Sequence, residues 1–548
     1  MRRGSSTGWS VAIAVLAAVL TPPAAVAAGA GGSTGTYGSA TTGIVAPAGG
    51  SNLAPQSAGA VRASRGTRRI PRTIAPAAAP SSLPQAAATP VQAAPPALAV
   101  NFNGVSSRDS GLANFGTEFE PPDQGLCVGN GFVVEMVNSA YTVYDTSGRT
   151  VAGPFQVNGP FNEGLSEFTS DPRCYFDQAT HTWFATILTI NPEETASTID
   201  IAVNPSRDPT TQWSVYRINT TDVGRGTGPK HPGCPCLGDQ PTLGIDAQNL
   251  YVTTNEFGLA SESFNGAQIY AFAKKDLVSL SPVHFVHFDK LAIAGAPASS
   301  VQPALTTGVG SAEYFLSSID PTLTFDQRIG VWAITERDVV AKGGVPRLSS
   351  VVVSSEAFGT PPFAQQKGGA SALEPGDDRM QQVQFAGGAV WGELDTSLAI
   401  TGDPTARAAA AWFEIKPAIA AGSLSAAHIR RQGYVAVAGN YVLYPALQVA
   451  ASGGAAMVMT ISGAKRFPSA AYATLAPGAG SFGPVTVAAA GTSAYDPEGT
   501  RWGDYSWAVR DPSGSSVWLA TEYVPPRKSQ TADRARNWGT RVLDVPGP

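Results

Sequence analysis

Beyond residue 97 the apolar positions come in short runs of roughly four to nine residues, not in helical stripes. Val, Ile, Thr, Tyr, Phe and Trp fill the runs, and Gly, Asp, Asn, Ser and Pro separate them. This is the pattern of short β-strands joined by tight turns. YFDQATHTWFATILTI (175–190) reads as a hairpin, and NLYVTTNEF, AEYFLSSI and AVWGELDTS read as second strands of similar units. A helix is expected at one short place, SLSAAHIRRQ (423–432).

The hairpins share a lead-in. PPDQGLCVG starts at Pro121, SDPRCYFDQ at Ser170, GDQPTLGID at Gly238, SVQPALTTG at Ser300, DDRMQQVQF at Asp377, LYPALQVAA at Leu443 and TRWGDYSWAV at Thr500. Each joins a polar or proline-bearing start to a short strand, a turn and a more apolar strand. Proline suits the first position of a strand, where its missing N–H leaves no ladder bond unmade. The starts recur every ~50 to 77 residues, and most intervals hold two further strand-like runs. A chain of this length exceeds one ordinary core, so it is either several domains or a radial array of small sheets. The repeat predicts the second: an all-β, seven-bladed β-propeller with four-stranded blades. After Thr500 only three strand-like runs remain, so ALAVNFNGV (97–105) is expected to complete the last blade. Such a ring hides its sheet edges, and a monomer is expected.

Upstream the pattern vanishes. Residues 1–27 read as a signal peptide, with Arg2 and Arg3 before the apolar run SVAIAVLAAVL (10–20) and Ala25-Val26-Ala27 as a cleavage site. The run is too short to span a bilayer, and no later stretch is apolar enough to insert in a membrane. Residues 28–96 are mostly Ala, Pro, Gly, Ser and Thr and are expected to be a disordered linker. Its arginine run RASRGTRRIPR (62–72) is a solvated charge run or a contact for an anionic wall polymer. The folded domain is therefore expected at 97–548, secreted and extracellular.

In that setting the four cysteines, Cys127, Cys174, Cys234 and Cys236, imply two disulfides. Of three connectivities, Cys127–Cys174 with Cys234–Cys236 is favoured. His231 lies beside the Cys-Pro-Cys, but C-x-C plus one His is not a zinc spacing. His284 and His287 sit three apart in a probable strand, on opposite faces. A formal net charge of −5 gives no basis for a nucleic-acid partner.

In a propeller the residues before the innermost strands gather at one mouth of the channel, the default ligand site. Here they are Asp123, Asp171, Asp239, Gln302, Arg379, Tyr444, and Arg501 with Asp504. Paired carboxylates can serve as acid with base or nucleophile at a glycosidic bond, which makes Asp123, Asp171, Asp239 and Asp504 the catalytic candidates. Arg379, Arg501, Tyr444 and Gln302 are the substrate-binding candidates, arginine being suited to a substrate carboxylate. Arg466, Glu522 and Tyr523 are weaker additions. Asp at such a position also caps turns through its own backbone. No cofactor is required by this chemistry, although a ring of aspartates could hold calcium. The aromatics of RWGDYSWAVRDPSGSSVWLATEYV (501–524) divide between core and sugar platform, and for Trp507 and Trp518 core is expected.

The runs PPDQGLCVG, VVEMVNSAYTVYDTSGR, DPRCYFDQATHTWFAT and FPSAAY, with RWGDYSWAVRDPSGSSVWLATEYV and NWGTRV, resemble a group of exported bacterial β-propellers near the sialidase-like fold. The resemblance runs from about residue 97 to the C-terminus and implies sugar-directed roles. The sequence departs from true sialidases. It has no S-x-D-x-G-x-T-W box, DPSGSSVW (511–518) being only a loose approach, and neither an arginine triad nor a Tyr–Glu nucleophile can be placed. No catalytic residue is carried over. Two readings stand: a glycoside hydrolase or polysaccharide lyase at the channel mouth, or a non-catalytic, adhesin-like module binding a polysaccharide, cell-surface glycan or protein.

Overall fold

The computed structural model describes residues 35–53, 83–92, 98–117, 119–225, 229–308, 310–320, 325–369, 371–495, 501–530 and 536–548. The signal-like residues 1–27 and the arginine run 62–72 lie outside them. The described chain is all-β with a few short helices, and among the described residues no helix is long and apolar enough to cross a membrane.

The strands fall into successive antiparallel runs. The first goes from Gly125–Gly129 to Thr150–Gln156 and the second from Phe168–Asp177 to Ser214–Asn219. The third goes from Cys236–Ile245 to Val283–Phe288 and the fourth from Gln302–Thr306 to Arg347–Phe358. The fifth goes from Met380–Ala386 to Ser423–Val435 and the sixth from Tyr441–Val449 to Val485–Ala489. The seventh holds Trp507–Arg510, Ser516–Tyr523 and Gly539–Pro546, and its fourth strand is Val100–Ser106, with Arg541 opposite Asn103. The third, fourth and fifth runs join into one sheet because their first strands pair in parallel, Ile245 with Leu305 and Ala304 with Val383. First strands of consecutive runs touch throughout, and Trp507–Arg510 in turn touches Gly125–Gly129. Crowding there explains a glycine: a Cβ on Gly125 would lie 2.8 Å from the Pro172 carbonyl oxygen.

Apolar faces of neighbouring runs pack on one another. Trp507, Val509 and Trp518 of the seventh run share a core with Leu126 and Val128 of the first, and Leu519 and Leu543 pack with Ala446 and Tyr472 of the sixth. Trp502 and Trp538 are fully buried, their indole N–H groups donating to Thr460 Oγ1 (3.2 Å) and the Phe119 carbonyl (2.7 Å). Both disulfides form in the favoured pairing: Cys127–Cys174 ties the first strands of two consecutive runs, and Cys234–Cys236 closes a tight loop.

Two expectations need correction. Ser423–Val435 is a strand, paired along Asp403–Ala420. Its Ala and Arg residues favour helix in isolation, but the ladder of a long neighbouring strand outweighs propensities of a few tenths of a kcal/mol per residue. The low-complexity segment 28–96 is also partly ordered. Ala40–Val45 adds a strand to the outer edge of the third run, Gly49–Gly50 to the second, Gln85–Ala86 joins Ala389–Ile400, and Val91–Gln92 joins Val485–Ala489. Open edge strands offer unpaired N–H and C=O groups to any extended chain, so the ordering comes from the partner strands and leaves no periodicity in the segment itself.

Candidate functional site

The lead-ins share a backbone device that the residue alignment only partly located. Asp123, Asp171, Gln240, Ser300 and Tyr444 all have left-handed backbone, with φ between 44° and 58°. Around three of them the ladder skips, between Ser170 and Arg173, Asp239 and Thr242, and Leu443 and Ala446. Each skip is a bulge that turns the residue out of the strand and re-aims it. The left-handed residue of the third lead-in is thus Gln240, next to Asp239, and that of the fourth is Ser300, two before Gln302. Gln302 instead sits buried in its strand opposite Leu316. The proline alignment is what misplaced it.

A bulged N–H has left its ladder and needs another acceptor. For Asp171 and Tyr444, and likewise for Ser300 just ahead of its strand, the second strand of the preceding run or the turn just after it supplies one. Asn138 Oδ1 accepts from Asp171 N at 2.8 Å, Asn255 Oδ1 from Ser300 N at 2.8 Å, and Asp395 Oδ1 from Tyr444 N at 3.0 Å. The sequence carries the signal in MVNS, TTNE and ELDT, a polar residue in or just past an apolar strand, but nothing in it says which backbone group it meets.

Asn138 also joins the acids. Its Nδ2 donates to Asp123 Oδ2 at 2.7 Å and to the Pro121 carbonyl at 3.0 Å, while Asp504 N donates to Asp123 Oδ1 at 2.6 Å. Carboxylate oxygens of Asp123, Asp171 and Asp504 all lie within 4.8 Å of one another. Asp123 and Asp171 are buried, and the Asp504 side chain is 24% exposed and ion-paired with Arg501. Burial, then the charge of Asp504, pushes Asp123 up to about 7. Burial, then Asp239 and Asp123, holds Asp171 well above the carboxylate range. Asp239 is close enough to act on both Asp171 and Arg379.

Cations and a tyrosine flank the acids. Arg379 forks onto Asp377, Nε to Oδ1 and Nη2 to Oδ2 at 2.7 Å each, and Nη1 donates to Gln240 Oε1 at 2.5 Å. Tyr444 donates its hydroxyl to the Glu374 carbonyl at 3.0 Å and feels both Asp504 and Arg501. Sequence reasoning missed Arg173. Its guanidinium is buried, 3.1 Å over the Tyr505 ring and 4.7 Å from that of Trp507, with Nε and Nη1 lacking hydrogen-bond partners. It supplies positive charge beneath Asp171, Asp123 and Asp504, while Tyr505 donates to the Pro172 carbonyl at 3.0 Å. The aromatics of residues 501–524 are therefore core, and what they support is the acid cluster. Gly503 allows this packing, since a Cβ there would lie 1.9 Å from Glu522 Oε1. Glu522 is buried behind the cluster, whereas Arg466 bonds Asn440 (3.1 Å) and Tyr523 bonds Asn103 (2.5 Å).

No family model matches the chain, and no curated protein matches it. Among solved structures it is similar to the GH93 α-L-arabinofuranosidase of Fusarium graminearum, with 9% identity, 81% of this chain and 98% of that one covered, and a TM-score of 0.34. It is also similar to the extracellular domains 1–2 of Drosophila Semaphorin 1b (7% identity, 84% and 88% covered, TM-score 0.34) and to an exo-1,5-α-L-arabinanase from a bovine ruminal metagenomic library (9%, 57% and 96%, 0.26). With identities of 7 to 9% and TM-scores of 0.26 to 0.34, these overlaps carry neither fold nor chemistry to this chain.

Proposed function

We propose that the protein is an exported, monomeric glycoside hydrolase on a seven-bladed propeller, acting on a polysaccharide at the mouth where the lead-ins meet. Each antiparallel run is one blade, and Val100–Ser106 closes the last. The same-way pairing of first strands and the contact of the seventh with the first support a common axis. The observation that carries the chemistry is the proximity of Asp123, Asp171 and Asp504, brought from three lead-ins to within 4.8 Å. Adjacent carboxyl groups in unlike environments can divide into a proton holder and a charged partner. In this reading Asp171 keeps its proton and is the acid, Asp504, paired with Arg501 and open to solvent, is the nucleophile, and buried Asp123 holds both in place. The short separation suits double displacement, since the inverting arrangement needs room for a water between carboxyls ~6.5 to 9.5 Å apart. Arg379, Gln240 and Asp239 form the rim a sugar would meet.

A second reading is a non-catalytic glycan-binding module. It is favoured by the saturation of Asp123, whose two oxygens both accept structural hydrogen bonds, and of Arg379, which is forked onto Asp377. The reading as an enzyme needs no cofactor, and calcium held by the three carboxylates is tested by repeating the assay with chelator. The deciding experiment measures reducing-sugar and unsaturated-product release over a panel of polysaccharides, wild type against Asp171→Asn, Asp504→Asn and Arg379→Ala. Hydrolysis requires sugar release that falls at least ~100-fold in the first two variants. Retained binding with no release by any protein establishes the module instead.

A further inference from the structure

A second cluster, independent of the glycan reading, lies where the loop before the third run meets that run. His231 sits in the loop before Cys236–Ile245, and its ring is sandwiched between carboxylates. Nδ1 is 2.8 Å from both oxygens of Glu256 and 3.6 Å from Asp222 Oδ2, and Nε2 is 3.0 Å from Asp289 Oδ2. All four residues are at most 5% exposed. Among the described residues, the ion pairs of these three carboxylates are all to His231. Three buried acids thus share one imidazole, and buried charge persists where it is paired or bound to metal. Asp222 Oδ1 is buried and has no hydrogen-bond partner, which in a packed interior asks for an explanation.

We propose that Asp222, His231 and Glu256 bind one divalent transition-metal ion. One donor atom from each residue lies within 4.8 Å of the others. Separations of 2.8 and 3.6 Å are those of donors sharing an ion ~2.0 to 2.2 Å from each. Imidazole nitrogen with carboxylate oxygen suits zinc and its first-row neighbours, whereas calcium and magnesium prefer all-oxygen sets. The surroundings match a metal ligand's outer shell. A bound Nδ1 needs the proton on Nε2, and Asp289 faces that atom as a histidine-orienting carboxylate. Asp289 is itself held by Ser39, whose N–H and hydroxyl donate at 2.5 and 2.8 Å. Gln268 Nε2 donates to Asp222 Oδ2 at 3.2 Å, and its Oε1 is fixed by the Tyr270 hydroxyl (2.6 Å) and His287 Nε2 (2.9 Å). Cys234 Sγ borders the site, 3.6 Å from Glu256 Oε1, but as a disulfide sulfur it is not counted among the ligands.

The test strips the full-length oxidised protein with EDTA and titrates it with cobalt(II) alone. A visible ligand-field band should saturate at about one equivalent and be abolished by zinc. His231→Gln and Glu256→Gln should each weaken cobalt binding by at least ~10-fold, while Asp171→Asn, in the acid cluster of the lead-ins, should bind like wild type. Absence of a saturable band in folded wild-type protein overturns the proposal, and this arm stands even if the variants fail to fold. Loss of the band in Asp171→Asn, with retention in His231→Gln, also overturns it by moving the ion to the other cluster.

Discussion

Asn138 gives the sharpest test of how the candidate site is assembled. Replacing it by Ala removes an acceptor 2.8 Å from Asp171 N and a donor to Asp123 (2.7 Å) and to the Pro121 carbonyl (3.0 Å). All lie in buried surroundings, with Asn138 itself 6% exposed. A buried polar group left unpaired costs about 1 to 3 kcal/mol. Three such groups, allowing for a water in the space left by the amide, put the loss at roughly 3 to 5 kcal/mol. At about 2.1 cal/mol/K per residue, a domain of several hundred residues loses roughly 1 °C per kcal/mol, so Tm should fall by about 3 to 5 °C. Asn138→Asp should be worse than Ala at pH 8, because it keeps the acceptor but faces Asp123 with a fourth carboxylate and no donor. Calorimetry of both variants at pH 5 and pH 8 checks this. A Tm within 1 °C of wild type for Asn138→Ala, or Asp better tolerated than Ala at pH 8, would refute the idea that this amide clasps one lead-in to the next.

Asp123 should make the fold pH-dependent. Its folded value of about 7 lies above the ordinary 3.8, so the folded state binds more protons between those limits and stability falls as pH rises through them, by about 4 kcal/mol in full. Asp123→Asn should therefore gain on wild type between pH 4 and pH 8, and a constant Tm difference across that range refutes it. Asp395 is a contrasting clasp, since burial holds it well above the carboxylate range and its Oδ2 is unpartnered. Asp395→Asn, which keeps an acceptor for Tyr444 N, should cost under ~1 kcal/mol, and Asp395→Ala about 2 kcal/mol more by urea unfolding. Gly503→Ala should cost at least ~2 kcal/mol because the new methyl must displace the buried Glu522 carboxylate; unchanged unfolding would show that the packing is looser. Removing Cys127–Cys174, whose ends are 47 residues apart, should cost about 4 kcal/mol, and removing Cys234–Cys236 much less, read as denaturant midpoints of the two double-serine variants.

By itself the sequence determined the class of structure. Alternation of apolar and polar residues is a local property, so short strands, their turns and the recurring lead-ins were legible, as was the burial of Trp507 and Trp518 from the runs that hold them. The cysteine count pointed to two disulfides, and of three open connectivities the favoured one is present. What tertiary structure decided depended on groups far apart in the chain. The strand at 423–435 and the edge strands of residues 40–50 exist because a neighbour's ladder was open, and neither carries its own pattern. The pattern marks Asp123, Asp171 and Asp504 as lead-in residues, but their approach to within 4.8 Å, and the buried Arg173 beneath them, follow from the packing of first strands. His231 looked isolated beside Cys-Pro-Cys because its companions Asp222, Glu256 and Asp289 come from a preceding loop, a second strand and the end of a fourth. Burial sets the charge state of such groups, and burial is fixed only when distant segments close over them.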